Sequence, residues 1–245
     1  MQLTIIYRDK NFIAIDKPAG LLVHRTGLAA DATEFALQLL RDQIGEAVHP
    51  CHRLDRPTSG ILLFGLSKEA QSFAEQQFMH HTVDKCYEAI VRGWTEEVGL
   101  IDYPLKQEDP PHQVQEARTA YRQLCRSELP LPAGRYQTAR FSLLELKPET
   151  GRKHQLRRHL AHLRHPIPGD TRHGDGAQNR FLREHFNSHA LLLRATKLEL
   201  PHPNNDSSIS IQAPPDPEFE RIKCCLQLKP ATPIAPAWWH KGPRP

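Results

Sequence analysis

Six short apolar runs, separated by polar and proline-containing segments, restrict the possible folds of this chain. They are Leu3 to Tyr7, Phe12 to Ile15, Ile61 to Leu66, Lys85 to Arg92, Ala117 to Cys125 and Thr138 to Leu146. Runs of this length, bounded by turn signals such as Lys17-Pro18-Ala19-Gly20, are typical of β-strands. We therefore predict that strands outnumber helices.

Two stretches outside these runs have helical spacing. Asp31 and Glu34 resemble a capping box, and the apolar residues after them recur at a helical period: Ala36, Leu37, Leu40 and Ile44. Ser67 can cap a second helix, whose small or apolar positions recur every four residues: Ala70, Ala74 and Phe78. We predict a helix in each place.

Length and composition indicate an ordinary globular protein. At 245 residues the chain can form one large domain or two small ones. Its first residues lack a secretion signal, and no run reaches the roughly 18 apolar residues of a membrane span. Five cysteines without a C-x-x-C pair argue against a disulfide framework and a zinc ribbon. We expect a cytoplasmic protein with reduced thiols and no membrane partner.

Positive charge is concentrated in one part of the chain. The net charge of +4 says little about partners. Residues 147 to 183, however, contain nine Lys and Arg against three acidic residues, a surplus of six. Such a surplus is typical of a surface that binds a polyanion.

The first polar motif is His52-Arg53-Leu54-Asp55-Arg56-Pro57-Thr58-Ser59-Gly60. The residues after Asp55 favour a tight turn, and the arginines on both sides favour an ionised carboxylate. A carboxylate held in this way can act as a nucleophile. Taken alone, the motif favours a structural Arg–Asp ion pair in a loop.

The second motif is Thr150-Gly151-Arg152-Lys153-His154-Gln155-Leu156-Arg157-Arg158-His159-Leu160. A helix here would carry an apolar stripe and, beside it, a basic row formed by Lys153, Arg157 and Arg164. The stripe, Leu156, Leu160 and Leu163, would dock the helix, and the row would meet phosphates or a buried carboxylate. The alternative is an ordinary amphipathic helix with a solvated basic face.

Three histidines, His159, His162 and His165, recur at every third position in the same region. Residues three apart are rotated by about 60° on a helix, so only neighbouring pairs could share an ion. No acidic or cysteine set completes a site. We therefore expect no metal site and assign these histidines to contacts with solvent or a polyanion.

The third motif is Lys85-Cys86-Tyr87-Glu88-Ala89-Ile90-Val91-Arg92-Gly93. On a strand, Tyr87, Ala89 and Val91 share one face. By itself, this pattern favours Tyr87 as a core residue.

Together the motifs resemble the RluA-type pseudouridine synthases. H-R-L-D-x-x-T-S-G, K-x-Y-x-A-x-V-x-G and T-G-R-x-H-Q-L-R-x-H, with H-P-I-x-G-D following, occur in that family's order, and the resemblance runs from about Ile5 to about His202. It implies an α+β fold with a central, largely antiparallel mixed sheet, flanking helices and an active-site cleft. It also implies an isomerase that converts a uridine in RNA to pseudouridine without metal or organic cofactor.

The resemblance assigns roles to residues of this sequence. The catalytic residues would be Asp55 as nucleophile, Arg157 as its partner, and Tyr87, which would stack on the flipped base and help remove its C5 proton. Arg53 would occupy the space that the base leaves, and the pocket would be walled by Leu156 and Leu193. The predicted substrate-binding set is completed by Arg152, Lys153 and Arg164.

The implied partner is RNA, with tRNA and its uridine 65 as the expected substrate of a monomer. The alternatives are an rRNA substrate, a non-catalytic RNA-binding protein on the same scaffold, and a hydrolase that releases free uracil. One departure concerns the L-H-A that many relatives carry, because this chain has Leu193-Arg194-Ala195. Contacts attributed to that histidine are therefore not expected here.

The C-terminal segment is rich in proline from Pro214 onward, and after Glu220 it has five Lys and Arg and no acidic residue. We predict a catalytic domain over residues 1–213 and a poorly ordered basic tail over residues 214–245. The alternative is that Trp238 and Trp239 in this tail make an auxiliary RNA contact.

Overall fold

The computed structural model describes residues 1–24, 34–205 and 207–229. They form two compact units, the first made of Met1–Lys85 and Arg194–Asp216, the second of Cys86–Leu193 and the described residues from Pro217 onward. The strands are β1 (Thr4–Arg8), β2 (Phe12–Lys17), β3 (His49–Pro50), β4 (Ser59–Gly65), β5 (Asp84–Arg92), β6 (Val98–Asp102), β7 (Leu105–Lys106), β8 (Val114–Gln115), β9 (Arg118–Leu129), β10 (Ala139–Pro148), β11 (Leu193–Pro201) and β12 (Ser208–Gln212). The helices are α1 (Ala36–Ile44), α2 (Lys68–Met79), α3 (Gln155–His162), α4 (Gly176–Phe186) and α5 (Pro217–Cys225). The fold class is α+β, as predicted.

In the first unit, β2 pairs with β1 and β4, while β4 also pairs with β3 and β11, and β11 with β12. The β4–β11 pair is parallel and the others are antiparallel. Residues 12–15 and 61–64 are fully buried. A strand that is covered on both faces reads as a continuous apolar run, which is why β2 and β4 were recognisable in the sequence.

In the second unit, β10 pairs antiparallel with β5 and β9, and β9 with β6, while β7 and β8 form a separate hairpin. One hydrophobic core joins these strands to α3, α4 and α5 through Leu160, Leu182 and Ile222, each with no exposed surface. Each such side chain contributes about 1.5–3 kcal/mol by leaving water. The core therefore fixes the position of α3, which carries the second motif.

Most predicted elements are present. All six apolar runs overlap strands, and the side chain of Ser67 caps α2 by accepting a hydrogen bond from the N–H of Ala70 at 3.2 Å. The first predicted helix begins at Ala36 after Phe35, without a side-chain cap. Asp31 of the predicted capping box lies outside the described residues.

The prediction of a poorly ordered segment from Pro214 onward is wrong for the residues of α5. Phe219 and Ile222 of this helix are buried in the core of the second unit, followed by Leu226 and Leu228. Three apolar residues at helical spacing, Phe219, Ile222 and Leu226, were hidden by the prolines around them. Residues 230–245, which include both tryptophans of the tail, lie outside the described residues.

Two further expectations can be compared with the structure. All five cysteines lie within the described residues, and no disulfide joins any two of them. Among the described residues, no helix is long and apolar enough to cross a membrane.

Gly60 explains why the Asp55 motif ends in glycine. Its φ is +104°, and a Cβ at this position would lie 2.1 Å from the carbonyl oxygen of Ala195 on β11. Neither the backbone conformation nor the space permits a side chain. The glycine thus allows β4 to begin beside β11, directly after the loop that carries Asp55.

We predict that Gly60→Ala lowers the free energy of unfolding by about 2–5 kcal/mol, because left-handed backbone strain adds to overpacking. Gly20→Ala is the matched control, since Gly20 also has a positive φ of +88° but a Cβ added there would meet no atom within 4 Å. In that control the free energy of unfolding should fall by only about 1–2 kcal/mol. Urea unfolding measures both, and equal losses would show that the contact with β11 is unimportant.

Candidate active site

Every second residue of the loop that carries Asp55 is held by contacts with the rest of the first unit. Leu63 N–H donates to Nε2 of His52 at 3.0 Å, and Leu54 is buried. Desolvation lowers the pKa of His52 to about 4, so its ring is neutral and can accept this bond. Arg53 is exposed and Asp55 is half-buried. The loop therefore anchors His52 and Leu54 and leaves Arg53 and Asp55 accessible.

The predicted tight turn is present at Asp55. Its carbonyl oxygen accepts a hydrogen bond from the N–H of Thr58 at 3.1 Å. The next residue, Arg56, exchanges two hydrogen bonds with Gly20, from Gly20 N to Arg56 O at 2.8 Å and from Arg56 Nε to Gly20 O at 3.0 Å. The turn after β2 and the Asp55 loop are thus joined.

Lys17 is a buried cation beneath this junction. Its side chain has no exposed surface, and its Nζ donates to the carbonyl oxygens of Pro18 at 2.8 Å, Leu21 at 2.9 Å and Arg56 at 3.2 Å. Burial lowers the pKa of Lys17 to about 7, against the opposing effects of the Asp55 and Asp16 carboxylates. Its three hydrogens satisfy three carbonyls, so Lys17 positions the Asp55 loop.

Arg157 of the second unit is also buried, with 5% of its side chain exposed. It forms a bidentate pair with Asp170, from Nε to Oδ2 at 2.8 Å and from Nη2 to Oδ1 at 2.7 Å. Asp170 also accepts the backbone N–H groups of Arg172 and His173, both at 2.9 Å. A buried carboxylate was expected to pair with the basic row, and Asp170 is such a partner of Arg157. A pairing of Arg157 with Asp55 stays a prediction.

Two opposing effects set the ionisation of Asp170. Burial opposes its negative charge, but hydrogen bonds from Arg157, His173 and Arg172 outweigh burial and lower its pKa to about 2. The carboxylate is therefore ionised at neutral pH. The guanidinium of Arg157 is held in one orientation by a partner that does not titrate near neutrality.

The start of α3 is fixed by Gln155 rather than by a capping residue. Its Oε1 accepts from Thr150 Oγ1 at 2.7 Å and from Arg152 N at 3.0 Å, and its Nε2 donates to Arg118 O at 3.0 Å and Thr119 Oγ1 at 3.1 Å. This carboxamide, 4% exposed, has all four of its hydrogen-bonding positions filled. The second motif thus contains a hydrogen-bonded cluster formed by Thr150, Arg152 and Gln155.

The predicted basic row on α3 is wrong as a helix face. His154 before the helix and Arg164 after it both have left-handed backbone, with φ of 56° and 64°. Arg164 N bonds to Ala161 O and His165 N to Leu160 O, a Schellman ending that stops the helix. Lys153 and Arg164 therefore lie outside α3, and Arg157 faces the interior.

The basic residues predicted to bind substrate have different surroundings. Lys153 is paired with Asp109 at 2.8 Å and Glu108 at 3.4 Å, and Arg152 Nε donates to Glu116 O at 3.0 Å. Arg164 is exposed and lines an open cavity of about 410 Å³ together with Arg92. Among these residues, Arg164 is the most accessible.

The apolar side of the predicted site is assembled in the second unit. Leu156 and Leu193 are buried in the same hydrophobic core, and Tyr87 packs against that core from β5. Leu160 and Leu163 continue the predicted stripe of α3. The structure thus brings Tyr87, Leu156 and Leu193 into one cluster.

The expectation for the three regularly spaced histidines is wrong for His159. This ring is fully buried, with Nδ1 3.0 Å from Thr119 Oγ1 and Nε2 3.0 Å from Tyr103 O. His162 stacks on Tyr103 with ring centroids 3.6 Å apart, and His165 Nδ1 lies 2.8 Å from Arg92 O. Sequence spacing did not reveal these backbone partners.

Three residues that support the site were missed in the sequence: Lys17, Gln155 and Asp170. Each was part of a recognised stretch, but each also has a partner that lies 13 to 39 residues away in the chain. The signal for Lys17 was a lysine at the end of a strand that begins with four buried apolar residues, where a charge needs a specific partner. The signal for Asp170 was an acidic residue ten positions after the end of the basic second motif, where it could pair with one of the arginines of that motif.

Comparison with known proteins agrees with this fold and these motifs. Residues 11–162 match the family model described as RNA pseudouridylate synthase. The human RNA pseudouridylate synthase domain containing 4 structure has the same fold, with a TM-score of 0.73 at 24% identity, over 92% of this chain and 94% of that chain. The chain therefore belongs to the RNA pseudouridylate synthase family, whose activity is that of an isomerase.

More similar relatives narrow the position within the family. The tRNA pseudouridine synthase C of Vibrio parahaemolyticus is 49% identical over 231 residues, which cover 91% of this chain and 94% of that protein. The protein of the same name from Vibrio cholerae is 51% identical over 220 residues, covering 86% and 90%. This chain is thus a pseudouridine synthase similar along most of its length to these enzymes.

We predict that Asp170→Asn lowers the free energy of unfolding at pH 7 by about 3–5 kcal/mol, because it leaves the Arg157 charge buried without its counter-ion. The pKa of Asp170 in the folded protein, about 2, lies below the unfolded value. Its contribution is therefore present at neutral pH and is lost as the pH falls from about 4 towards 2. The difference between wild type and variant should narrow by roughly 2 kcal/mol over that window.

Urea unfolding at several pH values measures this effect. Glu46→Gln is the control, because its carboxylate pairs with Arg8 on the surface, with side chains 54% and 43% exposed. That variant should stay within about 1 kcal/mol of wild type. A constant difference between wild type and Asp170→Asn from pH 7 to 2 would contradict the assignment.

Proposed function

We propose that this pseudouridine synthase isomerises a uridine in tRNA, with uridine 65 as the target. The observation that carries the proposal is similarity over about nine-tenths of the chain to enzymes named tRNA pseudouridine synthase C. We further propose that it acts in the cytoplasm as a monomer. Five cysteines, an odd number without a C-x-x-C pair, are consistent with a reducing compartment.

Asp55 is the proposed nucleophile. It bonds to the target nucleotide, and the bond between C1′ of the sugar and N1 of the base breaks. The base then turns, C5 bonds to C1′, and the bond to Asp55 breaks, which restores the free carboxylate. The C5 proton leaves and N1 gains a proton, so the product is an isomer of the substrate. The half-buried position of Asp55 on a loop fixed by Lys17 supports this role, because a nucleophile must be accessible and held in place.

Arg157 and Tyr87 are the other proposed catalytic residues. A guanidinium that Asp170 holds in one orientation supplies a fixed positive charge to the reaction. Tyr87 can present its ring to a flipped base while its other side packs on the core. Leu156 and Leu193 provide apolar surface that excludes water from a detached base.

The remaining proposed residues bind RNA. Arg53 is exposed next to the nucleophile and takes the place of the flipped base, and phosphate contacts are assigned to Arg152, Lys153 and Arg164. Arg164 has the strongest support, because it is exposed, whereas Lys153 is already neutralised by Glu108 and Asp109. These contacts offset the few kcal/mol needed to flip a paired base.

We expect Asp55→Asn to abolish pseudouridine formation while RNA binding stays within about tenfold of wild type, because the variant loses the nucleophile but only one charge. Product is measured by base-resolved detection of pseudouridine in a tRNA transcript, with rRNA fragments in parallel and free uracil monitored. Asp42→Asn, on the exposed face of α1, is the control and should be fully active.

The outcomes separate the alternatives. Appreciable isomerisation by Asp55→Asn would remove Asp55 from the mechanism. Wild-type protein that modifies only rRNA, or a tRNA position other than uridine 65, would correct the substrate. Free uracil without pseudouridine would indicate a hydrolase, and binding without either product would indicate a non-catalytic protein.

We also predict that Arg164→Ala reduces the salt dependence of tRNA binding. One lost phosphate contact should lower the slope of log Kd against log salt by about 0.7–0.9. Lys153→Ala should have a smaller effect, since two carboxylates already compensate its charge. Arg41→Ala, on exposed α1, should leave the slope unchanged. A slope unaffected by Arg164→Ala would show that this residue does not meet phosphate.

A further inference from the structure

Glu108, His154 and His173 form a cluster in the second unit. Glu108 lies between β7 and β8, His154 precedes α3, and His173 precedes α4. His154 Nδ1 lies 2.9 Å from His173 Nε2, and Oε1 of Glu108 lies 3.6 Å from the first nitrogen and 3.8 Å from the second. The three side chains are only 17%, 11% and 17% exposed.

These three atoms have the spacing of metal ligands. Zinc bound at about 2.0–2.2 Å by nitrogen and oxygen in a tetrahedron sets its ligand atoms about 3.3–3.5 Å apart. The three observed separations, 2.9, 3.6 and 3.8 Å, lie on both sides of that value. Two imidazoles and one carboxylate are a donor set that zinc sites use, with a fourth position left for water.

The facing ring nitrogens, His154 Nδ1 and His173 Nε2, can both donate a lone pair to a metal ion. The short distance between the two ring nitrogens requires one N–H in the absence of a cation. Moving that hydrogen to the other nitrogen of the same ring frees both facing nitrogens without net loss of a proton. Asp170 fixes the loop by accepting the His173 N–H.

Two cations oppose a metal at this place. Lys153 Nζ and Arg172 Nη2 lie 3.4 Å and 3.0 Å from Oε2 of Glu108, the carboxylate oxygen other than the one nearest the histidine pair. They lower the affinity for a further cation, but they also orient Glu108 so that Oε1 faces the rings. Removing Lys153 should therefore change affinity in the opposite direction from removing a ligand.

We propose that Glu108, His154 and His173 bind one divalent transition-metal ion, and their donor atoms favour zinc. The ion would connect the β7–β8 hairpin with the residue before α3 and with the segment between Asp170 and α4. The proposal departs from the sequence expectation of no metal site. It does not depend on the substrate or on the identity of the nucleophile. The ion has a structural role, separate from the isomerisation.

The test is metal binding to the full chain after treatment with a chelator. Zinc affinity is measured by competition with a chromophoric chelator, and cobalt(II) reports the ligands through its visible spectrum. We expect one site, with no thiolate charge-transfer band. His154→Gln, His173→Gln and Glu108→Gln should each weaken binding by at least about tenfold. Lys153→Met should strengthen binding several-fold, and His189→Gln, an exposed histidine outside the cluster, should have no effect.

Circular dichroism of each metal-free variant separates a lost ligand from a lost fold. If His173→Gln does not fold, the proposal is still tested, because Glu108→Gln should weaken zinc binding and Lys153→Met should strengthen it. Zinc should also raise the thermal midpoint of wild type and His189→Gln but not of a folded ligand variant. Zinc that binds wild type no tighter than about millimolar, equal affinity in all ligand variants, or a cobalt spectrum with thiolate bands would overturn the proposal.

Discussion

A buried ammonium group holds together the loop that carries the proposed nucleophile. Lys17 ends a strand that begins with four buried apolar residues. Its Nζ donates to carbonyl oxygens of the turn after β2 and of Arg56, which lies 39 residues further along the chain than Lys17. Without that group each buried carbonyl that lost its partner would cost about 1–3 kcal/mol. The turn after β2 and the Asp55 loop are therefore one structural unit, and its stability and the position of Asp55 have a common cause.

Local patterns identified much of the fold. The six apolar runs overlap strands because buried strands have a simple signature, and Ser67 capped α2 as expected because an N-cap is a local interaction. The limits of α3 could not be found in this way. They depend on Gln155, whose partners Arg118 and Thr119 belong to β9, and on left-handed backbone at His154 and Arg164. Histidine is enriched in that conformation but arginine is not, so propensity did not mark both ends of the helix.

The sequence proposed residues for the site, which stay predictions, but it did not reveal the partners of those residues. The motifs pointed to Asp55, Tyr87 and Arg157, and a family resemblance carried the chemistry. The carboxylate beside Arg157 and the cluster of Glu108 with two histidines arise from segments whose spacing follows no pattern. Arg194 shows the same limitation: this buried arginine donates to Pro214 O, 20 residues away in the chain. Long-range contacts decide such roles, and single-sequence periodicity does not contain them.

Helix α5 has a practical consequence for work with this protein. Phe219, Ile222, Leu226 and Leu228 fill the core of the second unit, whose other members come from residues 89–193. A shortened chain ending at residue 213, where the prolines begin, would leave that core open to solvent and invite association between molecules. Gene fragments intended for expression should therefore extend past Leu228, and affinity tags belong beyond that point.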